Sequence, residues 1–535
     1  MKGKQRTAKQ ERRRGRDRKA VWQLVDRGDL ARAEEQLRRL LAAEREAAAR
    51  ALLRSDLAVV LSAQGREEQA RLELAQALLD DPTCEPARRN LSKLGDGSSS
   101  LKSAPDPAPR PEALRIAIIG LLFNWITQAT GGGCVHTVGL AQALARDGHR
   151  VKHFYARCTE AGLGAVEPSY PLDGQAIEFD PTTAMAVIGE RFREAAETFA
   201  PDLVIVTDSW SSKPHLVEAM QGYPVLMRFD SQECLCPLNN CRFLFEGGAS
   251  FRQCPDHRLA KPENCQRCLQ ERGAQSGPLH QFERELAGAG APEHVALVRR
   301  ALQQAEAVTV NNPLIAECLK PYARLVKVIP PAVDANRFPW RDEGGPDRDP
   351  AEPKVIFMAG AVEERFKGFA TLHEACSRLW RKRQDFRLVA TGSDAGRENE
   401  FTEFTGWLSQ GELPGWYRRA DICVVPSWVQ DSWGIVAVEA MAAGRPVVTS
   451  RIGGLQLLVT HETTGLLCEA GDADELAAAL DLLLSDVDLR RSMGRAGRRR
   501  FEESGSWEAV MERHYRPLLR QFAGARAGAH LAGKG

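Results

Sequence analysis

The stretch Asp421 to Gly454, DICVVPSWVQDSWGIVAVEAMAAGRPVVTSRIGG, leaves this chain few folds to choose from. It opens with an apolar run, Ile422 to Val425, which stops at Pro426-Ser427 and predicts a buried strand. A polar loop containing Ser432 follows. GIVAVEAMAA then sets Ile435, Val438 and Ala442 on one helical stripe, ended by Gly444 with Pro446 just beyond. VVTS predicts the next strand. Strand, loop, helix and strand make a βαβ unit, whose ligands gather at the carboxyl ends of the strands. The amides of Gly434, Ile435 and Val436 lie at the helix start and offer an anion site. Asp431 and Glu439 bracket that start with seven residues between them. Glu439 lies one turn after Ile435 and leans back toward the N-terminus, so its carboxylate can reach the same crevice.

At 535 residues the chain is long enough for about two to four domains. A formal net charge of +1 implies no nucleic-acid or acidic partner for the whole chain. The imbalance is local. Residues 1–20 hold ten Lys or Arg against two acids, a solvated tail or a contact with an anionic membrane face or RNA. No run approaches the roughly 18 apolar residues that span a bilayer, and VWQLVDRGD is too short and too charged for a signal-peptide core. A cytoplasmic protein is expected, peripheral to the inner membrane face if the tail binds there. The thirteen cysteines then read as free thiols or metal ligands rather than disulfides.

Residues 21–95 predict an all-α segment in which Gly28-Asp-Leu-Ala-Arg-Ala33 is echoed by Gly65-Arg-Glu-Glu-Gln-Ala70. The second copy resembles a tetratricopeptide repeat. Two repeats fall below the usual minimum of about three, so the segment is either a helical cap or a recruiter of a protein partner. Residues 96–112 form a Gly/Ser/Pro linker. Strands and helices then alternate over 113–340, break at 341–353, and resume over 354–505, with a crossover helix and tail at 506–535. Two doubly wound α/β domains with a cleft between them are expected. In the first, Gly131 to Gly133 predict a turn before a helix beginning near Val135; Gly132 and Gly133 would let backbone approach an anion.

Several motifs agree in order: GGGxxH with GHRV, IPPAVDANRF at 329–338, KGF at 367–369, ADICVVPS, and DSWGIVAVEAMAAGRPVV. On these, residues 114–522 resemble a retaining glycosyltransferase of family 4, with the two-Rossmann-domain GT-B fold. The resemblance implies transfer from a UDP- or GDP-type sugar to a glycan, lipid-linked glycan or protein, with no metal needed for catalysis. Glu439 matches the family glutamate that binds the donor ribose. Asp431 matches the acid against the sugar, one methylene shorter than the usual glutamate. Lys367 matches the lysine on the diphosphate, and Arg365 stands in for an arginine that the family places after Gly360, where this chain has Ala361. His136 would contact the sugar, or else cap or pack its helix. His149 and the DxD-like Asp472-Ala-Asp474 read as structural, the latter as a helix cap. The family mechanism implied is front-side displacement, the leaving phosphate taking the acceptor's proton.

Six of the thirteen cysteines fall within 234–268. The resemblance extends to an insertion found in some relatives, and implies a closed tetrathiolate of Cys236, Cys254, Cys265 and Cys268, most simply on a structural zinc. Unliganded core thiols and a redox or iron–sulfur centre are the alternatives. Asp230, just before the insertion, would position or deprotonate an acceptor. Two rivals to an acceptor-using transferase remain: a non-catalytic scaffold, suggested by Asp431, Ala361 and Leu457, and a nucleotide-sugar epimerase.

Overall fold

The computed structural model describes residues 113–522 apart from 127–130, 246–250, 341–351, 395 and 431. Within 18–90 it describes all but 19, 26, 45–46, 67–69, 71–72, 75–76, 78–83 and 88–89. Most of the basic tail, the 96–112 linker and Asp431 therefore lie outside the described residues. The chain divides into two compact units, Met1–Pro109 and Arg110–Gly535.

The first unit is helical over nearly all of its described length. Helices α1 (Leu30–Ala43) and α2 (Ala47–Ala63) share a core that includes Ala33, Leu37, Leu57 and Leu61. The glycines that echo each other in sequence do the same work. Gly28 and Gly65 both take left-handed backbone, at φ +75° and +76°. The Gly28 N–H bonds Val25 O and the Asp29 N–H bonds Leu24 O; Gly65 and Arg66 repeat the pattern on Ser62 O and Leu61 O. Two helices thus end in the same C-terminal turn.

The second unit holds two parallel sheets. The first runs β3-β2-β1-β4-β5-β8-β9, from β1 (Arg115–Gly120), β2 (Arg150–Arg157), β3 (Gly174–Glu178), β4 (Leu203–Thr207), β5 (Val225–Phe229), β8 (Ala307–Val310) and β9 (Val326–Val328). The second runs β12-β11-β10-β13-β14-β15, from β10 (Lys354–Met358), β11 (Phe386–Ala390), β12 (Thr402–Phe404), β13 (Ile422–Val425), β14 (Val447–Ser450) and β15 (Gly465–Cys468). Central strands such as LVIVT, VLMRF and ICVV are buried along their whole length, as helices on both faces require. Strand order reverses between β1 and β4 and again between β10 and β13, so each sheet opens its crevice there. Between β5 and β8 an insertion carries the antiparallel hairpin β6 (Phe243–Phe245) and β7 (Phe251–Gln253).

Helix α3 (Gly132–Arg146) follows β1, α4 (Lys213–Ala219) follows β4, and α5 (Pro262–Arg272) and α6 (Pro278–Leu286) complete the insertion. The β13–β14 connection is α7 (Ile435–Ala442). The start of α3 corrects the sequence expectation. Gly132 and Gly133 belong to its first turn, because Gly131 is extended, with φ −68° and ψ 155°, and takes the cap position. Among the described residues, no helix is long and apolar enough to cross a membrane.

After α8 (Val487–Ser504) the chain returns to the first sheet. Helix α9 (Trp507–Val510) leads through a π turn at Met511–Tyr515. Trp507, Val510, Met511, Tyr515, Leu518 and Leu519 share one core cluster with Leu114, Ile116, Ile118 and Leu140. Arg516 clasps Asp147 by two bonds of 2.7 Å. Trp507 packs so tightly on α3 that a Cβ at Gly139 would lie 2.7 Å from its Nε1. Trp507→Ala is expected to cost about 3–5 kcal/mol, read as a lower denaturation midpoint; an unchanged midpoint would contradict this docking.

Candidate functional site

Helices α3 and α7 begin on opposite walls of one cavity of about 720 Å³. A Cβ built on Gly132 would lie 3.5 Å from Ile435 Cγ2, so the two starts nearly touch. The lining includes Gly131, Gly132 and Gly133 from the first domain, and Lys367, Ser432, Gly434, Ile435 and Val436 from the second. Each helix start brings N–H groups without intrahelical partners and the positive end of a dipole. Gly434 is held at φ +82°, and a Cβ there would meet Leu455 Cδ2 at 2.3 Å. Gly368, at φ +81°, is closed to any side chain because its Cβ would lie 1.8 Å from Pro426 O. That contact presses the turn bearing Lys367 against the end of β13. The Lys367 Nζ sits 5.5 Å over the Phe366 ring.

The loop before α7 is gripped from the first domain. Gln232 donates to Gln430 Oε1 at 3.1 Å, and Gln253 Oε1 accepts the Gln430 N–H at 3.3 Å. Asn312 donates to the Ser432 carbonyl. Asp431 lies between these two anchored residues, but outside the described set.

Glu439 does not line the large cavity. It opens instead on a neighbouring chamber of about 310 Å³, with Arg337, Gln410 and Trp507. Its carboxylate accepts from the Tyr417 hydroxyl at 3.0 Å and lies 3.8 Å from Arg337 Nη1. Burial raises its pKa, against the opposing pull of Arg337 and Tyr417. His136 and Ile435 line both chambers and form the wall between them. Sequence reading gave Arg337 no role, although it stands in IPPAVDANRF.

His136 is buried and stacked on Trp507 at 5.0 Å. Its Nδ1 lies 3.2 Å from Asp230 Oδ1, and its Nε2 accepts the Ala332 N–H at 3.3 Å. Burial, then the Arg228 charge, hold it below the usual imidazole range. Arg228 donates to Asp230 Oδ1 at 2.5 Å, Thr207 Oγ1 at 2.8 Å and Thr137 Oγ1 at 2.9 Å. Although burial opposes it, this cation holds the Asp230 carboxyl below the usual range. The same ion pair disfavours a proton on Asp230, which lines the cavity. Beside it the fully buried Lys213 pairs with Glu233, whose pKa burial raises.

Asp208, which sequence reading missed, follows β4 at φ +39° and lines the same cavity. It is 8% exposed, and its Oδ2 has no hydrogen-bond partner. Burial, reinforced by the Asp230 charge, pushes it from 3.8 up to about 7.

Other expectations fare differently. Arg365 is exposed and lines neither chamber. Asp472 caps its helix by accepting from the Asp474 and Glu475 N–H groups, as expected. His149 Nδ1 accepts the Leu114 N–H, also as expected. Among the described residues none of the thirteen cysteines is in a disulfide. Cys236, Cys254, Cys265 and Cys268 are neighbours, since burial pushes Cys236 up to about 11 and Cys265 up to about 12 with help from the other thiols. Even so, among the described residues no group of three or more His, Cys, Asp or Glu is placed to hold a metal ion. As they stand, the four thiols do not fit a closed zinc site.

Comparison with known proteins defines the class. Residues 353–486 match the family described as Glycosyl transferases group 1. A D-inositol 3-phosphate glycosyltransferase of Pseudarthrobacter chlorophenolicus is 33% identical over 224 residues, 36% of this chain and 52% of the relative. The chain thus spans about half the length of this relative. Sucrose-phosphate synthase of Thermosynechococcus elongatus superposes with TM-score 0.53 at 21% identity, covering 76% of this chain and 99% of that one. HepE of Anabaena, solved with UDP and glucose, gives 0.52 at 16%, covering 76% and 99%. The fold is GT-B, and the match to group 1 glycosyl transferases falls within its second domain.

Asp208 yields a pH signature. The folded state keeps a proton that the unfolded chain releases near pH 4, so this group's contribution is fully present below about pH 4 and lost as pH rises to about 7. Roughly three pKa units correspond to about 4 kcal/mol. Asp208→Asn should unfold at a higher temperature than the parent at pH 8, with the gap closing toward pH 4. A gap independent of pH would contradict the burial of this carboxyl.

Proposed function

We propose that this chain transfers a sugar from a nucleotide-diphosphate donor, of UDP or GDP type, to an acceptor with retention of anomeric configuration. The observation that carries the reading is the meeting of two helix starts and Lys367 on one cavity. As the sugar–phosphate bond breaks, charge grows on the diphosphate, and amides of 132–133 and 434–436 with the Lys367 ammonium stabilise it. In this reading Glu439, oriented by Tyr417 and Arg337, takes the donor ribose in the smaller chamber. Asp431 takes the hexose. The acceptor hydroxyl gives its proton to the leaving phosphate on the same face. The relatives' glycosyltransferase names and the UDP held by HepE support the donor class.

Glycan, lipid-linked glycan and protein acceptors all fit this chemistry. To the same proposal belong a cytoplasmic setting, contact of the basic tail with an anionic membrane face, and recruitment of a protein by the helical unit. A structural zinc on Cys236, Cys254, Cys265 and Cys268 would require those thiols to move together, which metal analysis of the purified protein tests directly. The exposed Arg365 favours a competing reading, a scaffold that has lost catalysis.

A thermal-shift screen of nucleoside diphosphates separates the two. One of them at about 100 times its Kd should stabilise the protein by roughly 2.7 kcal/mol. With the matching sugar nucleotide, Lys367→Ala should lower kcat by about 100-fold or more. Stabilisation by no nucleoside diphosphate would sink the transferase reading.

A further inference from the structure

The first-domain wall of the large cavity shows what kind of acceptor it takes. Four buried side-chain atoms on this wall lack a hydrogen-bond partner: Asp208 Oδ2, Ser231 Oγ, His280 Nε2 and Asn311 Oδ1. Asp208 and Asn311 are 8% and 5% exposed, so these are not surface groups facing bulk water. Asn311 Oδ1, an amide oxygen, only accepts, and Asp208 Oδ2 does so whenever its carboxyl is ionised. A ligand that satisfies them must bring donors, as hydroxyl or ammonium groups do and a phosphate dianion does not.

The charges agree. Arg228 and Lys213, at 2% and 0% exposure, are spent on Asp230 and Glu233, and Arg284 is turned onto Ser276 Oγ and the Gly273 carbonyl. Among the described residues the first domain lends the lining no lysine or arginine, whereas Asp208 is an acid without an ion-pair partner among the salt bridges found there. The wall is also flat where a ring would lie. Trp210 and His280 stack at 3.8 Å with 9° between their planes, and both line the cavity. Glu283 fixes that pair by accepting the N–H groups of Trp210, Ser211 and Ser212 at 3.1, 3.0 and 2.6 Å.

Resting on the transferase reading above, we propose that the acceptor is a neutral or amine-bearing polyol, a sugar whose hydroxyls meet Asp208, Ser231 and Asn311 beside the Trp210–His280 stack, and not a phosphorylated one. This separates the chain from a relative named for an inositol phosphate acceptor.

The test uses the full-length protein and matched acceptor pairs: myo-inositol with inositol 3-phosphate, glucose with glucose 6-phosphate, and glucosamine with glucosamine 6-phosphate. Binding of UDP and GDP is measured first by calorimetry; if neither binds, it is the donor reading that fails. With the nucleotide that binds, sugar transfer should occur to at least one unphosphorylated member and be at least tenfold slower to its phosphorylated twin. Asp208→Asn should raise the acceptor KM at least tenfold while leaving nucleotide affinity and the folded state unchanged. Equal or faster transfer to a phosphorylated member would overturn the proposal. So would transfer to none of the unphosphorylated ones by a protein that binds nucleotide, or an acceptor KM indifferent to Asp208→Asn.

Discussion

Two helices from separate sheets begin at one point, and much of the second unit serves that meeting. Bringing α3 and α7 together places two positive dipole ends and several unbonded amides around shared space, which is costly until an anion fills it. The glycines follow from this. Gly132 stands within van der Waals reach of Ile435, and Gly434 must take left-handed backbone to turn the loop into α7. The returning C-terminal helix has the same purpose seen from outside. By packing Trp507 on α3 and clasping Asp147 through Arg516, it ties the chain that leaves the second sheet to the first.

Beneath the cavity the charges are already balanced. The buried Arg228 and Lys213 pair with Asp230 and Glu233, so among the described residues the acid on this wall without an ion-pair partner is Asp208. On the opposite wall Lys367 stands beside the α7 start. The cavity is therefore polarised, with an anion-seeking side and a donor-seeking side. A sugar nucleotide meeting a hydroxyl has the same polarity.

Much of this was legible in sequence because it depends on local pattern. Apolar runs ended by turn residues place the strands, and the helical stripe with its glycine stop places α7. The repeated Gly28 and Gly65 contexts indicate a repeated turn. Other features depend on long-range placement. Asp208 reads as a turn residue after LVIVT, and only the approach of Asp230 and of α3 shows that it is buried. Trp210 and His280 are seventy residues apart, with nothing local to pair them. Glu439 reaches a second chamber because Tyr417 and Arg337 draw it there, which helical geometry alone does not reveal. The sequence expectation starts α3 three residues late because a run of glycines reads as a loop, whereas Gly132 and Gly133 belong to its first turn.

The central claim is that the paired helix starts hold a diphosphate. Calorimetric titration of a nucleoside diphosphate against its own nucleoside isolates that contribution. UDP or GDP should bind at least tenfold more tightly than uridine or guanosine, with the difference shrinking as salt is raised. Equal affinity for nucleotide and nucleoside would contradict the account.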